Sequence, residues 1–232
     1  MERHLDEELE KLNTDLLKMA ILTEEAIHKS IEALKNQDKA MAQVIIHDDE
    51  NIDEMEIVIE EHAMELLALF QPMAKDLRFI TTGMRVNSEL ESIADLTVNI
   101  CQRVLQISDQ PLLKPLVDIP KLAENAKWMV KNTIDAFIKR DQELAKEVIL
   151  SDAKSNELRT HIVNKLINEY MTKDGSTAPR AIALLLVARD LERISDHAAS
   201  IAEDVIYMVQ AKVIRHHRER LLTIKTEENG SP

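Results

Sequence analysis

Two segments of this chain, ELESIAD at residues 89 to 95 and DLERISD at residues 190 to 196, are one pattern written twice. Both keep acids at the first, third and seventh positions and apolar residues at the second and fifth. An internal repeat limits the fold more than any single residue can, because each copy must bury the same face in the same way. The repetition runs well beyond these segments. Displaced by 103 positions, Asp38 falls on Asp141, Ala42 on Ala145, Ile46 on Ile149, Asp49 on Asp152 and Glu54 on Glu157. Displaced by 101, Val86 falls on Val187, Leu90 on Leu191, Glu91 on Glu192, Ile93 on Ile194, Asp95 on Asp196 and Ile100 on Ile201. The small change in offset belongs between the second and third helices of each copy, where loop length varies at little cost.

Apolar residues recur at helical spacing, as in Leu90, Ile93, Thr97, Ile100 and Val104, or Leu191, Ile194, Ala198, Ile201 and Val205. With 3 glycines and 3% aromatics, the chain has too few turn formers and ring residues for a sheet protein. Proline is poorly tolerated inside helices, so Pro72, the group Pro111, Pro115 and Pro120, and Pro179 beside Gly175 mark breaks. The spacing predicts six helices, over residues 3 to 36, 38 to 70, 73 to 108, 119 to 139, 141 to 171 and 178 to 212, with Asp38, Asp118 and Asp141 as caps. The expected fold is all-α: two tandem three-helix bundles built from six long antiparallel helices. Residues 1–110 form the first bundle, 111–120 a proline-containing linker, 121–212 the second bundle and 213–232 a polar tail expected to fray.

The formal charge of −13 disfavours nucleic acid and anionic lipid, which are held through clustered Lys and Arg. The single Cys101 excludes an intrachain disulfide, and MERHLDEELE lacks the apolar segment of a signal peptide. The longest apolar run, AIALLLVA, is less than half of the ~20 residues that span a bilayer. A soluble, cytoplasmic protein is expected.

Residues four apart share a helix face, so Glu91 neighbours Asp95 and Glu192 neighbours Asp196. Like charges at this spacing cost a few tenths of a kcal/mol, and more when desolvated. In the second copy Arg189 and Arg193 lie one turn away; in the first, position 92 is serine and Arg85 is better spaced for Glu89. Asp49 and Asp53, also four apart, lie about 20 residues before the turn at Gln71, and Glu91 with Asp95 about 22 after it, so both pairs sit ~30 Å from the turn. Asp152 and Asn156 match Glu192 and Asp196 in the same way, at ~25 Å from the turn near Met171. An acidic row on a helical hairpin is more often a solvated face. Facing pairs at one height would instead gather oxygen ligands, which suit Mg²⁺, Mn²⁺, Ca²⁺ or iron better than a structural zinc.

LALFQPMAKDLRFITTGMRVNSELESIADLTVNI and LLLVARDLERISDHAASIAEDV resemble the two signature segments of the PhoU family, regulators of bacterial phosphate uptake. The similarity runs from about residue 5 to 212, and QP-x-A-x-DLR with the doubled LE-x-I-x-D carries it. The resemblance implies a cytoplasmic, non-enzymatic negative regulator of phosphate-starvation signalling that contacts the Pst transporter through its ATPase, and a PhoR-type sensor kinase. It also implies a homodimer. Family members bind metal at an acid followed four positions later by Asp, a pattern that maps onto Asp49 with Asp53, Glu91 with Asp95 and Glu192 with Asp196, and partly onto Asp152 with Asn156. Fe, Mn, Mg or Zn would be the ions, with no organic cofactor. Ser92 departs from the arginine of LER and Asn156 from an acid. Asn99 extends the first row by a turn where Ser200 is a shorter, poorer ligand.

Two other classes compete with this reading. A ferritin-like di-iron oxidase would use the same acids, and Glu25 with His28 matches its Glu-x-x-His, but such bundles need two of these motifs. A purely structural helical scaffold is the other. The ten Met residues and Trp128 read as core; His47, His62 and His197 as hydrogen-bonded structural residues; and His216 and His217 as solvated.

Overall fold

Each copy stops its first helix and starts its second in the same way. The backbone turns left-handed at Gln37 and Arg140, with φ 53° at both. The next N–H then reaches five residues back, Asp38 to the Ala33 carbonyl and Asp141 to that of Ala136, both at 2.9 Å. That bond satisfies a carbonyl orphaned at the helix end. The same aspartates cap the helix that follows: Asp38 accepts from the Met41 N–H, and Asp141 from those of Glu143 and Leu144.

The computed structural model describes residues 2–113, 116 and 118–213. Among them are six α-helices and no strand: α1 Glu2–Asn36, α2 Lys39–Phe70, α3 Ala74–Ile107, α4 Asp118–Lys139, α5 Gln142–Lys165 and α6 Ala178–Gln210. Five expectations need correction. The fifth helix does not run unbroken to residue 171. It passes into a π-helical segment, Leu166–Met171, because both the N–H and the hydroxyl of Thr172 bond the Ile167 carbonyl five residues back. Asp118 is not an extended cap before α4: it lies in the first turn, where its carboxylate accepts from Lys165 Nζ at 3.1 Å. The sixth helix ends at Gln210, with Ala211 left-handed. Trp128 is 40% exposed rather than core, since it sits on the outer face of α4. Of the methionines, Met19, Met129 and Met208 are buried, whereas Met64 and Met73 are exposed. His216 and His217, with the tail from 214 onward, lie outside the described residues.

The two copies share one core. α1, α3, α6 and α4 pack in a ring, α2 lies outside on α1 and α3, and α5 outside on α4 and α6. Phe79 of α3 stacks on Phe137 of α4 with ring centroids 5.3 Å apart, and the Arg140 guanidinium sits 5.5 Å above Phe79. Gly83 lets α3 approach its neighbours, since a Cβ there would stand 3.2 Å from Leu16 Cδ1 and 3.9 Å from Phe137 Cζ. Arg78 Nε donates to the Met208 carbonyl at 3.0 Å, and Arg85 pairs with Asp204 at 3.1 Å, so α3 and α6 run antiparallel. The buried apolar side chains form a single cluster through both copies, each large one contributing roughly 1.5–3 kcal/mol by leaving water.

The repeated cap predicts an equal effect in both copies. Asp38→Ala and Asp141→Ala should each lower stability by about 1 kcal/mol, read as a lower urea midpoint at unchanged slope. A midpoint unmoved in either variant would mean that the cap there is idle.

Candidate functional site

Hydrogen bonds between helices set the heights of the acidic pairs. Asn87 Nδ2 of α3 donates to the Glu56 carbonyl of α2 at 2.8 Å. Counting away from that contact along antiparallel helices brings Asp49 and Asp53 level with Glu91 and Asp95. In the second copy Ser155 of α5 donates to Ser195 of α6 at 2.7 Å, which likewise sets Asp152 and Asn156 level with Glu192 and Asp196. Both matches are those that helical rise predicts.

In the first copy the acids act as one electrostatic unit. Asp49 is half-buried, and its carboxyl is pushed up to about 6, first by burial and then by the charges of Asp53, Asp95 and Glu91. Glu91 is raised by burial, then by Asp95 and Glu56, against a lowering contribution from the Ser92 hydroxyl at 3.4 Å. Glu56, absent from the sequence-derived set, is raised by burial, then by Glu60, Asp53 and Asp95. It lies three residues after Asp53, so helical spacing alone would have placed it on the same face. Asp53 and Asp95 are exposed, and Asn99 is half-buried one turn further along α3. Behind the seam Cys101 is buried, its thiol pushed up to about 12 by burial with a contribution from Asp49, so it stays protonated and is no thiolate ligand. As the side chains stand, no three His, Cys, Asp or Glu among the described residues converge to hold a metal ion.

The second copy is built differently at the same place. Asp152 is 2% exposed, and the Asn156 amide reaches its main-chain oxygen at 3.2 Å and its carboxylate at 3.4 Å. Glu192 is half-buried and Asp196 exposed. Asn125 Nδ2 donates to Ser155 Oγ at 2.9 Å, and Ser155 in turn to Ser195. These three residues replace Leu22, Ile52 and Ala94 of the first copy, so a hydrogen-bonded chain stands where the first copy has hydrocarbon side chains, of which Ile52 and Ala94 are buried.

The doubled motif itself divides between two faces. Its first acid looks across to the other copy: Glu89 bonds His197 Nδ1 at 2.5 Å, and the equivalent Asp190, 1% exposed, pairs with Arg189 at 3.1 Å. Burial raises Asp190, while Arg189 and then Arg103 of α3 pull it down. Arg189 is thus turned towards Asp190, and Arg85 towards Asp204, whose carboxyl burial nevertheless pushes up to about 6. His62 bonds Glu8 at 2.9 Å as a structural residue, whereas His47, expected to be one too, is exposed and lies 3.8 Å from Glu50. Glu25 pairs with Lys29 at 2.8 Å and His28 lies 3.7 Å from Glu32, so the Glu-x-x-His pair runs along the surface of α1 rather than into a bundle core.

A family model described as the PhoU domain matches the chain twice, at residues 16–104 and 119–205, once per copy. The phosphate-specific transport system accessory protein PhoU homolog 2 of Thermotoga maritima is 35% identical over 97% of this chain and 95% of its own length. The homolog of Aquifex aeolicus is 38% identical over 91% of this chain and 96% of its own. The crystal structure of PhoU from Pseudomonas aeruginosa superimposes with a TM-score of 0.86 at 31% identity, covering 89% of this chain and 99% of that one. The phosphate transport system regulatory protein PhoU from Streptococcus pneumoniae gives a TM-score of 0.83 at 27% identity, covering 90% and 98%. With one domain match on each copy, and relatives and structures alike along nearly their whole length, this chain belongs to the PhoU family.

Proposed function

We propose that this chain is a cytoplasmic, non-enzymatic regulator of phosphate uptake that acts as a homodimer. It restrains the Pst transporter and phosphate-starvation signalling by touching the transporter's ATPase and a PhoR-type sensor kinase. The observation that carries the reading is the match, along almost the whole chain, to proteins named as accessory to the phosphate-specific transport system. No helix among the described residues is long and apolar enough to cross a membrane, so membrane proximity would come through these partners.

Cations on the acidic seams are the second part of the reading. Asp49, Asp53, Glu91 and Asp95, with Glu56 and Asn99 beside them, would hold an ion in the first copy; Asp152, Glu192 and Asp196 would do so in the second. Carboxylate and amide oxygens fit Mg²⁺, Mn²⁺, Ca²⁺ or iron. A charge of opposite sign offsets both the burial and the carboxylate crowding that hold Asp49 up. Since Asp53 and Asp95 are exposed, changes of rotamer are what drawing the donors together requires. The ion's contribution is positive charge and a tie between α2 and α3.

Cells lacking this chain and grown in ample phosphate should raise a phosphate-starvation reporter severalfold, with repression restored by the wild-type chain. A reporter that stays silent without it would refute the regulatory reading. A second prediction concerns pH. Asp49 titrates near 3.8 when unfolded and about 6 when folded, so its contribution to stability is fully present below the unfolded value and is lost as pH rises to 6. In chelator, Asp49→Asn should therefore gain stability over wild type progressively across that window and hold the gain at neutral pH. Added Mn²⁺ should raise the melting temperature of wild type and much less that of Asp49→Asn or Asp95→Asn. A Mn²⁺ response that is absent, or identical in all three proteins, would remove the cation from the account.

A further inference from the structure

The duplication supplies an internal control for the grooves between the first and second helices of each copy. In the first copy the groove between α1 and α2 encloses about 390 Å³ and is lined by Leu22, Glu25, Lys29, Asp48 and Asp49 among others. The corresponding open groove between α4 and α5 has a volume of about 770 Å³ and is lined by Lys121, Asn125, Trp128, Ser151 and Lys154, with Lys35 contributed by α1. The equivalences are direct: Asn125 stands for Leu22, Trp128 for Glu25, Ser151 for Asp48 and Lys154 for Asn51. One backbone arrangement therefore carries opposite charge in the two copies, so packing does not dictate the basic lining.

Three features of the second groove point to a ligand. Lys35 and Lys154 make no ion pair among the described residues, although the whole chain carries a charge of −13. Lys121 lies 3.6 Å from Asp118, which Lys165 also holds, and one carboxylate, Glu124, lies in the lining. The three lysines also line one groove. Asn125 Nδ2 reaches the Ser151 carbonyl at 3.4 Å. Lys154, three residues on along an antiparallel helix, is therefore brought level with Lys121. At the other end is the chain's single tryptophan, 40% exposed, seven residues from Lys121 and thus about 10 Å away along the same helix face. Between the two ends lie the amide of Asn125, 6% exposed, and the hydroxyl of Ser151.

We propose that this groove binds a nucleoside polyphosphate, with the base stacked on Trp128 and the phosphates on Lys35, Lys121 and Lys154. An exposed indole offers a face to a flat ring, and lysines bind phosphate as compact point charges. The volume of this open groove falls in the range of small-molecule sites. Because Lys35 belongs to the first copy and the remaining lining to the second, the ligand would bridge both.

Trp128 makes the test specific, since no other tryptophan contributes to the emission. ATP should quench Trp128 fluorescence saturably, with a matching dissociation constant from equilibrium dialysis of labelled ATP against the full chain. Adenosine and tripolyphosphate alone should each bind at least tenfold more weakly. Lys154→Glu and Lys121→Glu, both at exposed positions, should weaken ATP at least tenfold while leaving the circular dichroism spectrum unchanged. The proposal is overturned if ATP neither quenches nor is retained in dialysis, or if the charge reversals leave its affinity intact. Tripolyphosphate binding as tightly as ATP would reassign the groove to a plain anion. Quenching by polyglutamate but not by ATP would reassign it to an acidic protein segment.

Discussion

The packing of α3 against α6 is the contact on which the rest of the molecule rests. Each helix carries one copy of the doubled motif and buries a broad apolar face, including Ile80, Val86, Leu90 and Ile93 on one side and Val187, Leu191, Ile194 and Ile201 on the other. Polar groups set the register along the edges of the contact: Arg78 on the Met208 carbonyl, Arg85 on Asp204, His197 on Glu89. Phe79 and Phe137 extend the join to α4, and Gly83 lets α1 and α4 come close. The two three-helix bundles that duplication wrote are therefore joined through one continuous core, with α2 and α5 on the outside.

The copies have diverged inside the core as well as outside it. Facing the shared core, Val86, Leu90 and Ile100 repeat as Val187, Leu191 and Ile201, whereas Gly83 and Leu34 become Leu184 and Phe137. They differ again where α2 packs on α3 and α5 on α6. There the seam of the first copy is a crowd of carboxylates raised by burial and by one another, while that of the second is a chain of hydrogen bonds through Asn125, Ser155 and Ser195. The neighbouring groove changes from acidic to basic in the same way. A duplicated scaffold thus presents different chemistry at equivalent positions.

Much of this was legible in the residues. Prolines and the caps Asp38 and Asp141 marked the helix breaks, and a fixed rise per residue placed Asp49 and Asp53 level with Glu91 and Asp95 before any contact was known. What escaped was whatever depends on a partner distant in sequence. Nothing in ELESIAD says that Glu89 faces the other copy while Glu91 and Asp95 face α2, since that is settled only when α3 meets α6. Ser155 and Ser195 read as small residues on apolar faces until Asn125 is brought beside them. The π-helical turn at Leu166–Met171 hangs on Thr172, whose hydroxyl bond to Ile167 leaves no periodic trace. Trp128 escapes as well, because an indole suits a core and a half-exposed surface equally. Glu56 was within reach of spacing alone, yet stood outside the four-residue pattern that singled out the other acids.

Two residues that occur once each allow the shared core to be tested directly. Cys101 is buried in the first copy, and Trp128 reports from the second. If α3 and α6 fuse the copies, the urea dependence of thiol accessibility at Cys101 and of Trp128 emission should trace one coincident transition with one midpoint. Two separated transitions, with one copy opening while the other stays folded, would contradict the account and return the molecule to two bundles that merely touch.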